Sequence, residues 1–148
     1  MSGSNRGFWK VVLPLVVGGI LLVVLVLVFR PAARRGAVAY AQANLRRAAE
    51  AAEDLATEGS LADADRETLA ARGGVDDLLL IDPDQSSNDP EVVSVLATRG
   101  VWTGSARAET GECFWIRVVT TGGTVYGTGT DCSADEASAA PPGAWQDP

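Results

Sequence analysis

Histidine is absent from this 148-residue sequence, and cysteine occurs only twice, as Cys113 and Cys132. Without histidine the chain lacks the usual general base near neutral pH, the commonest zinc ligand and every Ser-His or Cys-His catalytic pair. The two cysteines do not form a C-x-x-C motif, so a structural disulfide is favoured over a catalytic thiol. We therefore predict that the protein is not an enzyme and that it has no catalytic residues, metal or cofactor.

Basic residues are scarce in the distal part of the chain. Residues 1–59 carry seven basic and four acidic groups, whereas residues 60–148 carry five basic and fifteen acidic groups, for a net charge of −7. An acidic surface of this kind repels phosphate, so nucleic acid is excluded as a partner. Lysine occurs once against eleven arginines, and this bias, with abundant alanine and glycine, indicates a bacterial origin.

Charge is also missing from a long run near the N-terminus, from Val11 to Phe29. At 1.5 Å per residue this run spans roughly 30 Å, the thickness of the hydrocarbon core of a bilayer. It predicts a transmembrane helix over residues 8–30 that follows a short cytoplasmic N-terminus, residues 1–7. A buried core helix is disfavoured because a chain of this length cannot surround it. A cleaved signal peptide, with Ala37–Ala39 as the cleavage site, is a second alternative.

The orientation of the predicted span does not follow from charge, because basic residues flank it on both sides. Arg6 and Lys10 precede it, and Arg30, Arg34 and Arg35 follow it. A cysteine pair is typical of an oxidising compartment. We therefore expect a single-pass cell-membrane protein with a cytoplasmic N-terminus and an extracytoplasmic C-terminal domain.

Residues 31–59 are rich in the best helix formers and end at Gly59, which predicts an amphipathic helix that continues the membrane segment. Its apolar positions recur every three or four residues and form one narrow seam. The seam residues are Val38, Ala41, Leu45, Ala48, Ala52 and Leu55. The seam could be a coiled-coil dimer face, but fewer than three heptads of mostly alanine bury little area. Packing of the seam on the protein's own sheet is favoured.

Residues 60–132 have the composition of a small extracytoplasmic α+β domain. A second short helix is predicted near residues 65–72, and short strands are predicted at residues 78–81, 91–97 and 101–108. The tail, residues 133–148, has small residues, paired prolines and little to bury, which predicts disorder. The predicted fold class is therefore α+β, with a long N-terminal helix packed on a small antiparallel sheet.

Residues 111–132 predict the C-terminal hairpin of this sheet. Gly122 and Gly123 suit the positive φ angles of a two-residue turn. With that turn, the numbers of opposing residues sum to 245, so Cys113 faces Cys132 and a disulfide can close the mouth of the hairpin. A bulge near Gly127 or Gly129 could shift this register.

The same register predicts which face each hairpin side chain occupies. The expected core face carries Phe114, Ile116, Val118 and Val125, with Gly127 and Gly129 beside them. The opposite face carries Cys113 and a possible interaction surface formed by Trp115, Arg117, Val119 and Tyr126. Glycines beside apolar residues leave a trough that the alanine-rich seam could enter.

Residues 82–91 place Asp82, Asp84, Ser86 and Asn88 at alternating positions, as a calcium loop does. A calcium loop of the EF-hand type also needs a glycine at its sixth position and a glutamate at its twelfth, where this chain has Val93. An acidic turn is therefore favoured over a metal site.

The order of these elements resembles that of type IV pilins and pseudopilins. The shared features are a long N-terminal helix, half of it apolar and half packed through small residues on a sheet, a late Gly-x-Cys-Phe strand at Gly111–Phe114, and a second cysteine near the C-terminus. Arg6–Phe8 matches the start of the family's processing signature, and Val12 stands where the family has a glutamate. The resemblance implies a structural component of a pilus or of a type II secretion system.

Taken together, these features predict a membrane-anchored, pilin-like domain that acts as a structural or interaction component of an envelope, pilus-like or secretion assembly. Its expected partners are the lipid bilayer and other envelope proteins or copies of itself. The alternative is a membrane-anchored module that binds or senses a ligand on the surface formed by Trp115, Arg117, Val119 and Tyr126.

Overall fold

The structure, a computed structural model, describes the backbone of residues 6–143 and Trp145, and the side chains of residues 15–25, 32–143 and Trp145. The fold is α+β, as the sequence predicts. In chain order the elements are helix α1 (Arg6–Glu58), a 3₁₀ turn (Leu61–Asp63), helix α2 (Arg66–Ala70), strands β1 (Leu79–Ile81), β2 (Val92–Ala97), β3 (Val101–Arg107), β4 (Cys113–Val119) and β5 (Gly123–Gly129), and helix α3 (Ala134–Ala139).

The chain divides into two compact units after Arg35. In the first unit, every leucine, isoleucine and valine side chain between residues 15 and 25 is at least 51% exposed. Among the residues that the structure describes, no helix has both the length and the hydropathy needed to cross a membrane. The predicted cytoplasmic segment includes residues 1–5, which lie outside the described residues. The predicted span includes residues 8–14 and 26–30, whose side chains lie outside them as well.

The second unit is built on one sheet of five strands in the order β1-β2-β3-β4-β5. The pairs β2–β3, β3–β4 and β4–β5 are antiparallel, but β1 runs parallel to β2, so the predicted antiparallel sheet is in fact mixed. Residues 82–91 make this possible because they are long enough to return the chain to the end of the sheet where β1 begins. The Ser94 hydroxyl on β2 fixes the start of this connection by donating to the carbonyl of Asp82 at 3.0 Å.

The structure places the helix seam in the core of this unit. Ala41, Leu45, Ala48 and Ala52 are fully buried, Leu55 is 8% exposed, and Val38 is partly buried against the same cluster. The surface that meets them is the apolar face of the sheet. Its buried side chains are Leu80, Val93, Val95, Trp102, Ala106, Phe114, Ile116 and Val118. The seam therefore packs on the protein's own sheet.

Polar contacts fix α1 along this sheet. The buried Asn44 side chain donates to the carbonyl of Pro90 at 2.9 Å, and the Thr124 hydroxyl of β5 donates to Glu53 at 3.0 Å. Arg47 pairs with Asp77 and also donates to the carbonyl of Gly74. Because these contacts lie on both sides of the seam, they fix the rotation of the helix as well as its position.

The register of the C-terminal hairpin differs by three residues from the prediction. Val119 pairs with Gly123, so opposing residues sum to 242, and the tight turn has Thr120 and Thr121 at its centre. Only the second of the two glycines has a positive φ, +75° at Gly123. The glycine pair therefore does not form the two-residue turn that its composition suggests.

This change of register exchanges the faces of β5. Ile116 pairs with Tyr126 and Trp115 pairs with Gly127. Tyr126 therefore lies on the face that packs against α1. Val125, Gly127 and Gly129 lie on the opposite face, with Trp115, and so correct the predicted core face of β5. The predicted core positions of β4 are confirmed, because Phe114, Ile116 and Val118 are buried in the main cluster.

The predicted disordered tail contains a helix and a buried tryptophan in the part that the structure describes, residues 133–143 and Trp145. Residues 134–139 form α3, which begins after Ser133, whose hydroxyl accepts from the backbone N–H of Glu136. Ala134 and Ala137 are buried, and Trp145 is 8% exposed. The tail is ordered there because its alanines let α3 lie flat on the sheet and because one large aromatic residue compensates for the small side chains around it.

Candidate functional site

The face of the sheet opposite α1 carries the disulfide, and the predicted Cys113–Cys132 bridge is confirmed. Cys113 pairs across the ladder with Gly129, and residues 130–132 then bring Cys132 back to it, with 5.2 Å between the two Cα atoms. Both cysteines are at most 3% exposed. The bridge therefore joins β4 to the segment that enters α3.

The connection between β1 and β2 docks on this bridge. The backbone N–H of Ser87 donates to the carbonyl of Cys132 at 2.9 Å, and the N–H of Cys132 donates to the hydroxyl of Ser86 at 3.2 Å. The N–H of Asp135 donates to the carbonyl of Pro83 at 3.0 Å. The serines of this acidic segment thus bind the protein's own backbone. Within the described part of the chain, no three Cys, Asp or Glu side chains converge as metal ligands.

The structure does not bring the four residues of the predicted interaction surface together on one open face. Trp115 is 1% exposed, with its indole N–H donating to the carbonyl of Thr128 at 3.2 Å. Arg117 stacks on the Trp115 ring at 4.9 Å and is half-buried, as is Val119. Tyr126 lies on the α1 face. Helix α3 covers the Trp115 side, so that side is an internal packing layer.

Arg117 holds the C-terminal end of α3. Its guanidinium donates to the carbonyl oxygens of Ala137 and Ala140. The Ala137 carbonyl also accepts from the backbone N–H of Ala140 at 3.3 Å, and the negative end of the helix dipole favours a cation beside these terminal carbonyls. The Arg117 Nε and the neighbouring Thr103 hydroxyl are buried with no hydrogen-bond partner among the described residues. Arg117 thus acts as an anchor for the C-terminal segment.

Replacing Arg117 by methionine is expected to speed amide hydrogen exchange in α3 by about a hundredfold. Methionine keeps an apolar stem over Trp115 but removes the charged donors, which contribute on the order of 1.5 kcal/mol each. Exchange measured by mass spectrometry on residues 134–140 checks this. Arg99→Met is the matched control, because Arg99 is exposed in the turn between β2 and β3. Equal exchange in the two variants would contradict the anchoring role.

Hydrogen bonds shift the pKa values of Asp77, Asp65 and Tyr40 in the second unit. The Arg47 guanidinium lowers the pKa of Asp77. The backbone N–H of Thr68 lowers the pKa of Asp65, which begins α2 as its N-cap. Tyr40 donates to Glu91 at 2.6 Å, and this hydrogen bond raises the pKa of Tyr40. Each shift accompanies a contact that fixes an element of the fold.

A groove filled by Trp145 lies on the other face of the sheet, between α1 and strands β4 and β5. The indole ring meets Phe114 and Tyr126 edge-on, with ring centroids 5.8 and 4.9 Å away. The guanidinium of Arg46 lies 5.2 Å from the centre of the ring. The indole N–H donates to the carbonyl of Trp115 at 3.0 Å. Sequence reasoning missed this site because the proline-rich, small-residue context of Trp145 indicates disorder.

Comparison with known proteins adds no relative to this geometry. No family model, no curated protein and no solved structure matches the chain significantly. The similarity to pilins therefore depends on the order of elements described above.

Proposed function

We propose that this chain is a single-pass membrane protein that displays a small, disulfide-bonded α+β domain outside the cell membrane. We propose further that it acts as a pilin-like structural or interaction component of an envelope, pilus-like or secretion assembly. One observation carries the proposal. Helix α1 has exposed aliphatic side chains throughout residues 15–25, and a buried small-residue seam from Ala41 to Ala52.

The two properties of α1 support an anchor and a displayed domain, respectively. Soluble proteins rarely expose contiguous apolar surfaces of this length, and a bilayer is the solvent in which such side chains are stable. The seam forms the core of the second unit, so the distal half of α1 is part of the domain. The disulfide favours the oxidising side of the membrane for that domain.

The alternative, a ligand-binding or sensing module on the surface formed by Trp115, Arg117, Val119 and Tyr126, receives no support from the geometry. Helix α3 covers Trp115 and binds the guanidinium of Arg117. A ligand on that surface would have to displace α3.

Membrane extraction tests the proposed anchor. The full-length chain is expected to remain with membranes after an alkaline wash, whereas the double variant Leu21→Arg and Val24→Arg is expected to move to the soluble fraction. Each arginine near the centre of a bilayer costs about 2.5–3.5 kcal/mol on insertion scales. Leu79→Arg is the matched control, since Leu79 is 61% exposed on β1 and lies outside the span. Release of the unmodified chain by the wash would refute the anchor.

A further inference from the structure

The apolar face of the sheet is wider than α1. Five strands about 4.8 Å apart form a face roughly 20 Å wide, whereas a helix with its side chains is about 10 Å across. On the side of β1 to β3, the remaining width is covered by the 3₁₀ turn and α2, through buried Leu61 and Leu69. On the side of β4 and β5, it is covered by Trp145. Trp145 thus covers on that side the width of the sheet that the 3₁₀ turn and α2 cover on the other.

Two open depressions adjoin the residues that contact Trp145. A cavity of about 170 Å³ lies on one side, lined by Arg46, Ala49, Ile116 and Tyr126 among others. A second open depression of about 450 Å³ is lined by Val38, Phe114 and Thr128, together with Cys113 and Gly129 of the opposite face. Each cavity shares a lining residue with the ring contacts of Trp145, Tyr126 for the first and Phe114 for the second. Open space therefore adjoins the residues that contact the Trp145 ring.

Residues 141–143, which follow α3 and precede Trp145, make few contacts with the rest of the domain. This segment leaves α3 on one face of the sheet, passes the outer edge of β5, where the N–H of Gly143 donates to the carbonyl of Tyr126 at 3.0 Å, and reaches the α1 face. Residues 141–143 are exposed. Among its described residues, this segment is held by the Gly143 hydrogen bond and by the ring contacts and indole N–H of Trp145. A segment with so few hydrogen bonds opens at a lower free energy than the sheet does.

We propose that this groove is a peptide-binding site that accepts the C-terminal segment of a second copy of the chain, with Trp145 as the anchoring side chain. The inference deepens the proposed function and rests on it, because the two copies meet only if both are anchored in the same membrane. The seated ligand in the structure is this same segment, so a second copy presents identical chemistry: an edge-strand donor, an indole ring and an indole N–H. The chain's own C-terminal segment competes with the segment of the second copy at an effective concentration in the millimolar range.

Two single variants affect separately the anchoring tryptophan and the groove that receives it. Trp145→Ala leaves an empty groove and no anchor. Tyr126→Ala removes an edge contact of the indole from an exposed position and leaves the anchor intact. Full-length chains in detergent, purified with different tags, are expected to form mixed pairs between the two variants, while neither variant pairs with itself. Arg46→Met can replace Tyr126→Ala if the latter does not fold.

Peptide binding provides the second measurement. A labelled peptide of residues 138–148 is expected to bind Trp145→Ala at least about tenfold more tightly than it binds the wild-type chain, whose own tail competes. The same peptide with alanine in place of tryptophan is expected not to bind. Equal binding of the two peptides, or the absence of mixed pairs between folded variants, overturns the inference. Resistance to alkaline extraction in the same preparations would then leave the proposed function standing.

Discussion

Replacing Leu45 by alanine is expected to lower the free energy of unfolding by about 3 kcal/mol. Leu45 is fully buried at the middle of the seam and is one of its two leucines. Truncating a buried leucine loses its transfer free energy and leaves a cavity, because the neighbouring residues relax only in part. Denaturant unfolding of the full-length chain, followed by tryptophan fluorescence, measures the change.

Leu79→Ala is the matched control for this prediction, since the same side chain is removed from a site that is 61% exposed. Its expected effect is within about 0.5 kcal/mol. If both variants lost the same small amount, the seam would not be packed on the sheet, and the arrangement of α1 in the second unit would be refuted.

Removing the disulfide is expected to lower the free energy of unfolding by a comparable amount, about 3 kcal/mol. In the chain-entropy model the cost arises because the unfolded chain loses a constraint that spans nineteen residues. The double variant Cys113→Ala and Cys132→Ala tests this by denaturant unfolding.

The structure adds a local consequence to the loss of the disulfide. Cys132 holds both the β1–β2 connection and the start of α3, so exchange of the Ser87 amide is expected to rise more than exchange in β3. The double variant should also be insensitive to reductant, whereas the wild-type chain should be destabilised by it. A reductant effect of equal size in both would contradict a structural role for the bridge.

The parts of the fold that could be predicted follow from periodicities that local physics controls. The spacing of Ala41, Leu45, Ala48 and Ala52 places one face of a helix toward a partner, and that face is buried. Alternation along β4 similarly separates Phe114 from Trp115. The Cys113–Cys132 bridge is present even though the ladder pairs Cys113 with Gly129, because three residues of irregular chain restore the distance.

The parts that could not be predicted depend on choices that composition leaves open. Two adjacent glycines permit several turns, and the adopted turn uses Thr120 and Thr121, which moves every residue of β5 to the other face. Gly127 then lies beneath the Trp115 ring, where a Cβ would collide with it. The position of Trp145 depends on the width of the groove, which no local pattern reports.

The oxidation state of Cys113 and Cys132 in the native membrane tests the central claim most directly, namely that a disulfide-bonded domain lies outside the membrane. Cells that carry the full-length chain are quenched in acid, denatured and alkylated, with and without prior reduction, and the intact mass is measured. Acid and denaturation are needed because both cysteines are buried in the folded domain. We predict no alkylation before reduction and two additions after it. Two alkylated cysteines without reductant would contradict the account.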